Sequence, residues 1–434
     1  MINTLEHFYF KHGHEPTYWL AYSGGLDSHV LLHLFAKLRE MHPIKICAIH
    51  VNHGLSTHAD EWVAHCKHVC EQLKVEFFHQ KVNAKSKVGE SPEEVARESR
   101  YAVFAKLLAA NDLLLTAHHQ DDQAETVLLQ LLRGSGPKGL SAMPSFKALS
   151  KGFHARPLLG YARVDLMLYA QDNQLKWVED ESNENIDFSR NYLRQKVIPL
   201  LKKQWPQVTK TFARSSLHCA EAQALLENMA EQDLQSCKGQ APNTLSVKKI
   251  VELDRARLHQ LLRLWFKQSG LLSPSTTKLQ QIVQNVLLAG PDRMPLLLWK
   301  GAELRRYQDD VYVRPSASFH DAKQILPWED LAIPLCIAGL GTLQATRENK
   351  GLSTNLTDIT VRFRQGGEHC HLPNRACHHS LKKLFQGWSV PHWERDRIPL
   401  IYTGDTLIAA VGYFIDDKYA ANEGEMGYLM KLDK

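Results

Sequence analysis

Four short apolar runs, at residues 18–22, 44–51, 75–82 and 113–117, alternate with stretches whose apolar residues follow helical spacing. This alternation constrains the fold most, because consecutive strands joined by helices must lie parallel in one sheet with the helices covering its faces. The first helical stripe runs from Ser28 to Glu40 through Val30, Leu31, Leu34, Phe35 and Leu38. The second holds Trp62, Val63, Cys66, Val69, Cys70 and Leu73. A third opens at Ser91-Pro92-Glu93-Glu94, where Ser suits the N-cap, Pro the first turn and Glu94 a capping box. The expected class for residues 1–205 is α/β, with a Rossmann-like, mostly parallel sheet.

Beyond Pro199 the pattern changes. Residues 208–235 and 251–290 read as helical, with Leu258, Leu261, Leu262, Trp265 and Phe266 on one stripe and Arg255, Arg257, Arg263 and Lys267 largely off it. Residues 296–299, 303–307 and 311–314 read as a small meander. Past residue 317, Gly- and Pro-rich turns separate short runs such as 359–364 and 406–414, with a short helix near 381–386. The expected layout adds a mainly helical domain at 206–316 and a small α+β domain at 317–434.

Charge is unevenly spread over these parts. Basic minus acidic residues give 22 − 23 = −1 for residues 1–200, 14 − 7 = +7 for 201–300 and 16 − 17 = −1 for 301–434. Within the last part, residues 361–397 hold seven basic and three acidic residues with five His. A near-neutral front half with basic appendages suits a catalytic domain beside surfaces for a large anion. No run reaches the roughly 18 apolar residues of a membrane helix, so no membrane partner is expected. Eight Cys without a C-x-x-C pair exclude a disulfide scaffold and fit a reducing cytoplasm.

Ser23-Gly24-Gly25-Leu26-Asp27-Ser28 joins the first strand to the first helix. Its glycines allow a tight turn and close backbone approach, while its hydroxyls and the helix N-terminal amides offer donors to phosphate oxygens. A carboxylate beside phosphates is repelled, so Asp27 is expected either to bind a Mg²⁺ that bridges the phosphates or to orient that ion's water. His50-Val51-Asn52-His53-Gly54 and His118-His119-Gln120-Asp121-Asp122 follow the second and fourth strands, whose C-terminal ends border the same crevice. Asp121 and Asp122 can hold a metal or an ammonium, or act as base, and Glu125 lies one helical turn from Asp122. Gly134-Ser135-Gly136-Pro137-Lys138-Gly139 matches a dinucleotide fingerprint literally, but it follows a helical run rather than a strand and reads as an anion-facing rim loop.

The hexapeptide resembles the PP-loop of the ATP pyrophosphatases, which adenylate an oxygen of their substrate and release pyrophosphate. The blocks at residues 117–126, 132–140, 156–159, 179–183, 190–194 and 199–201 are similar, in order, to those of the tRNA(Ile)-lysidine synthetase family in its long form. That resemblance implies adenylation of the wobble cytidine of CAU-anticodon isoleucine tRNA, then attack by the side-chain amine of free lysine and loss of AMP. It implies ATP and Mg²⁺ as cofactors, with Ser23, Gly24, Gly25, Leu26, Asp27 and Ser28 at the nucleotide and Asp27 at the metal; by their positions after the second and fourth strands, His53 is expected at the nucleotide and Asp121 at the metal. Asp27, Asp122 and Glu125 are the implied catalytic residues, and Asp122 and Glu125 the lysine-binding ones. Arg133, Arg190, Arg194, Arg362, Arg364, Lys382 and Lys383 are the expected RNA contacts. A homodimer is compatible with these features.

Three alternatives use the same loop or its remnant. A tRNA thiolase needs a catalytic Cys or paired C-x-x-C, and neither flanks the loop; Cys66 and Cys70 lie on an apolar stripe and are expected in the core. An ammonia-using synthetase has no need of a basic appendage of this length. A non-catalytic RNA-binding protein would not need Asp27, Asp121 and Asp122. Cys370-His371 and Cys377-His378-His379 are spaced too loosely for a closed zinc site and read as a polar loop near RNA.

Overall fold

A computed structural model describes residues 1–13, 15–54, 58–82, 92–179, 181–290, 293–316, 318–371, 378–422 and 424–433. The expected cap at Ser91 and the expected polar-loop residue Cys377 lie outside them. The chain divides into two compact units, Met1–Asn228 and Met229–Lys434.

The first unit is built on six strands: β1 (Thr17–Ala21), β2 (Lys45–Asn52), β3 (Glu76–Lys81), β4 (Leu113–Leu115), β5 (Phe146–Leu149) and β6 (Gly152–Ala155). Their order is β3-β2-β1-β4-β6-β5, all parallel except the β5–β6 hairpin. Helices α1 (Ile2–His12), α2 (Leu26–Met41), α3 (Ala59–Gln72), α4 (Pro92–Leu107) and α5 (Gln120–Leu132) join or flank them. The buried strands carry apolar side chains on both faces, as a doubly covered sheet requires. Tyr18 and Leu20 pack with Val30, Leu34, Phe35 and Cys66 on one face; Trp19 packs with Cys47, Leu114 and α4's Phe104 on the other. The hairpin was not legible in advance because its four-residue strands are short and β5 is largely exposed.

Strand β1 has β2 on one side and β4 on the other, so the chain's direction across the sheet reverses there. Ligands of open α/β sheets bind at such a switch point, outside the strands' C-terminal ends. In register, Leu20 of β1 lies opposite Leu115 of β4. The loops leaving the two strands therefore emerge side by side.

In the second unit, helix Arg255–Gln268 and segment Thr276–Leu287 pack on a four-stranded sheet through Leu261, Leu262, Phe266 and Ile282. That sheet holds β7 (Leu245–Ser246), β8 (Leu296–Trp299), β9 (Ala302–Tyr307) and β10 (Asp310–Pro315), confirming the meander. The C-terminal part is richer in strand than its sequence suggests, with a five-stranded and a four-stranded antiparallel sheet beside helices Leu381–Gly387 and His392–Arg395. Its longest pairing, Gly341–Glu348 with Gly427–Asp433, joins segments too far apart in sequence for local pattern to reveal.

Candidate active site

The chain leaves β1 and turns through Ser23–Gly25 into α2. Gly24 adopts φ +87°, and a Cβ there would lie 2.9 Å from the Cys66 sulfur, so conformation and space both select glycine. The Ser28 hydroxyl accepts from the Ser23 amide (3.2 Å), donates to the Gly25 carbonyl (2.9 Å) and lies 3.0 Å from Ser23 Oγ. Helix α2 is capped by Gly25 and has no side-chain cap, which leaves the amides of its first turn available to an anion.

The loop after β4 meets this turn. His119 caps α5: its Nδ1 accepts from the Asp122 amide (3.4 Å), and Asp122 Oδ2 accepts from the His119 amide (3.0 Å). The same imidazole places Nε2 3.5 Å from Asp27 Oδ2 and 3.4 Å from Asp122 Oδ2. Burial opposes a charge on this 1% exposed ring, but the nearby carboxylates of Asp27, Asp122 and Asp121 outweigh it and raise the imidazole pKa. His119 is thus the residue that ties the nucleotide loop to the acidic helix start, and nothing in its spacing distinguished it from the other His residues.

Two turns of helix complete the cluster. Asp122 and Glu125, three residues apart on α5, face Arg190 and Arg194, four apart on the helical segments Ser189–Tyr192 and Leu193–Val197. Arg190 donates from Nε to Glu125 (2.7 Å) and from Nη2 to Asp122 (2.9 Å). Arg194 donates from Nε and Nη2 to Glu125 (2.6 and 3.0 Å) and from Nη2 to Asp122 (2.9 Å). Burial would raise the Asp122 pKa, yet His119, Arg190, His118 and Arg194 hold it down at about 2. The two arginines, expected at RNA phosphates, are thus engaged with carboxylates here, because i, i+3 acids face i, i+4 bases across the helices.

Asp121, expected at a metal, also has other partners: Lys202 Nζ at 2.7 Å and the Arg163 amide at 2.9 Å. Asp27 differs, since its Oδ1 is buried without a hydrogen-bond partner. Among the described residues no group of three His, Cys, Asp or Glu side chains is arranged to hold a metal. A divalent ion at Asp27 would draw its remaining oxygens from phosphate and water, as Mg²⁺ commonly does.

The other expected residues divide by environment. His53 lies partly buried after β2 with its pKa lowered by burial and by Arg100 and His50. Arg133 is exposed at the C-cap of α5, and Lys382 and Lys383 are exposed. Arg362 is held by the Gly404 carbonyl (2.6 Å) and lies over the Tyr402 ring, and Arg364 pairs with Asp396 at 3.0 Å. Cys66 and Cys70 are core residues whose thiols burial pushes up to about 12, which disqualifies both as thiolate nucleophiles. Cys370 is likewise buried in an apolar cluster.

Known proteins similar to this chain cover nearly its whole length. A PP-loop domain matches residues 2–201, a TilS substrate binding domain residues 245–312 and a TilS substrate C-terminal domain residues 359–432. The tRNA(Ile)-lysidine synthase of Coxiella burnetii is 45% identical over 417 residues, covering 95% of this chain and 92% of that protein. That of Serratia proteamaculans is 40% identical over 422 residues, covering 96% and 95%, and that of Alkalilimnicola ehrlichii 38% over 416, covering 94% and 92%. With a nucleotide loop, an acidic cluster beside it and this similarity along nearly its whole length, the chain belongs to the tRNA(Ile)-lysidine synthase family of ATP-dependent PP-loop ligases.

Proposed function

We propose that the crevice between the β1 and β4 loops joins the side-chain amine of free lysine to the 2-carbon of the wobble cytidine of CAU-anticodon isoleucine tRNA. The 2-oxygen of the base attacks the α-phosphorus of ATP and pyrophosphate leaves; the lysine amine then attacks the 2-carbon, loses a proton, and AMP leaves. The observation that carries this reading is that His119 joins Asp27, on the loop that suits ATP, to Asp122, which with Glu125 forms a pair of carboxylates that suits an ammonium. Phosphates fit the loop amides and hydroxyls of Ser23–Ser28. Mg²⁺ at Asp27 would neutralise phosphate charge.

Lysine enters as an ammonium with a reference pKa of about 10.4, so it needs both a counter-charge and a proton acceptor. Asp122 and Glu125 supply the counter-charge. Their oxygens already accept from Arg190 and Arg194, so the substrate ammonium takes the place of a guanidinium, which is then free to meet a phosphate. Arg133, Lys382 and Lys383 are our candidates for direct RNA contact, while Arg362 and Arg364 support the surface around them. The separate family matches support a division at 1–205, 206–316 and 317–434. Among the described residues no helix is long and apolar enough to cross a membrane.

The test incubates the protein with Mg-ATP, labelled lysine and unmodified isoleucine CAU transcript, following AMP and label in RNA. Label confined to that transcript, and absent from the methionine elongator tRNA, is the expected result. Pyrophosphate release with tRNA but no lysine transfer would keep the adenylation and reject the nucleophile.

A further inference from the structure

Near the C-terminal ends of β4 and β6 lies a charged cluster that the reaction above does not use. Arg156, just after β6 and only 2% exposed, donates from Nη1 to the Pro144 carbonyl (2.6 Å) and from Nη2 to His154 Nδ1 (3.3 Å). Its Nε and the hydroxyl of Tyr101 are buried and make no well-formed hydrogen bond, although the guanidinium and that hydroxyl lie close enough to act on one another; the Tyr101 ring centre lies 5.6 Å from that of His154. Around the Tyr101 ring stand the guanidinium carbons of Arg97 and Arg100, at 5.2 and 6.0 Å, and Lys147 Nζ at 5.9 Å. Among the described residues no ion pair joins Arg97, Lys147 or Arg156 to a carboxylate.

The cluster is wired to the crevice. Arg156 can only donate, so His154 accepts at Nδ1 and carries its proton on Nε2, which donates to Thr116 Oγ1 at 2.8 Å. The Thr116 hydroxyl is then free to donate to His118 Nδ1 at 2.7 Å, next to the His119 that contacts Asp27. Burial and the charges of Arg156, Lys147 and Arg97 hold His154 down at about 2, so it stays neutral and offers no negative charge. Lys147 is itself lowered by burial and by Arg156 and Arg97. Like charges gathered this way cost stability unless an anion offsets them.

We infer that Arg97, Tyr101, Lys147 and Arg156 form a second phosphate-binding site, separate from the loop at Ser23–Ser28, for a phosphate group of either the RNA backbone or the nucleotide. The RNA source rests on the proposed tRNA reaction; the nucleotide source does not.

The test uses the full chain with Arg97→Gln, Lys147→Gln and the double variant, both positions being exposed; Arg156→Lys is a further variant that keeps the charge. Affinity for the isoleucine CAU transcript is measured across a KCl series, and affinity for ATP and for inorganic pyrophosphate without RNA. The double variant is expected to lose about tenfold or more in tRNA affinity, with a log–log salt slope shallower by roughly one per lost cation. Unchanged ATP and pyrophosphate affinities then assign the site to RNA. A loss confined to ATP or pyrophosphate affinity assigns it to the nucleotide, and it would do so even if the wild-type chain bound no tRNA and the proposed reaction fell. Unchanged affinity for all three overturns the inference. Thermal melting supplies the structural control: Lys147→Gln should melt no lower than wild type, because it relieves repulsion, and a large fall would mark Lys147 as a packing residue and overturn its assignment.

Discussion

Glu125 and Arg194 meet as a two-pronged ion pair, Nε to Oε1 at 2.6 Å and Nη2 to Oε2 at 3.0 Å, with the Glu125 residue 0% exposed. Such forked pairs are strong and geometrically specific. Arg190 Nε claims the same Oε2. In the proposed reaction a lysine ammonium would compete with these guanidiniums for the carboxylate.

Replacing Glu125→Gln keeps the shape and removes the charge, leaving two guanidiniums with Asp122 alone. Breaking a buried pair from one side costs about 3 kcal/mol or more, readable as a lower urea midpoint. In the folded variant the lysine KM should rise about tenfold or more, the scale of a lost charged hydrogen bond, while ATP affinity holds. An unchanged lysine KM would remove Glu125 from the substrate site.

Asp27→Asn tests the other end of the crevice. Asparagine is close in size but cannot neutralise a cation, and it weakens the contact to His119. The tRNA-dependent release of pyrophosphate should fall by about a hundredfold, the usual scale for losing one electrostatic contribution to a transition state, with tRNA affinity unchanged. Full release would exclude Asp27 from the adenylation step.

The acidic cluster also sets a pH profile for stability. His119 has its pKa raised above 6.5 in the folded chain, so its contribution is complete below that value and is lost as pH rises through the folded pKa. Asp122 is depressed from 3.8 to about 2, so its contribution is complete above 3.8 and is lost as pH falls through about 2. Urea midpoints against pH should therefore decline on both sides. His119→Gln should flatten the alkaline limb specifically; an identical alkaline limb in that variant would mean that His119 does not titrate there.

The parts of this arrangement legible in sequence were those with local causes. Apolar runs separated by helical stripes gave β1 to β4, and Gly24 and Asp27 stood out because a phosphate loop needs them. His119 was hidden because its importance comes from a meeting of loops that β1–β4 pairing creates. Arg190 and Arg194 read as RNA contacts from sequence, whereas in the structure they pair with Asp122 and Glu125, because those partners depend on the packing of two helices about 65 residues apart in sequence. The same holds in the C-terminal part, where the local runs 359–364 and 406–414 contain the strands Ile359–Arg362 and Thr406–Ala410, while the distant pairing of Gly341–Glu348 left no mark.

That distinction between charge and partner separates the C-terminal cations into two classes with different expected behaviour. Arg362 donates to the Gly404 carbonyl and to Thr360 Oγ1 (2.6 and 3.1 Å) and covers Tyr402 at 4.6 Å, so its guanidinium holds neighbouring strands together. Arg362→Gln should lower stability by about 1 kcal/mol and change the salt dependence of tRNA binding little. Lys382 and Lys383 lie at the start of the helix Leu381–Gly387 and are exposed, so their charge faces solvent. Lys382→Gln with Lys383→Gln should leave the melting temperature unchanged and reduce the log–log salt slope for isoleucine tRNA by roughly one to two. A double lysine variant with the wild-type slope would place the RNA elsewhere on this unit, and a slope that moved with Arg362 instead would show that its present contacts give way when RNA binds.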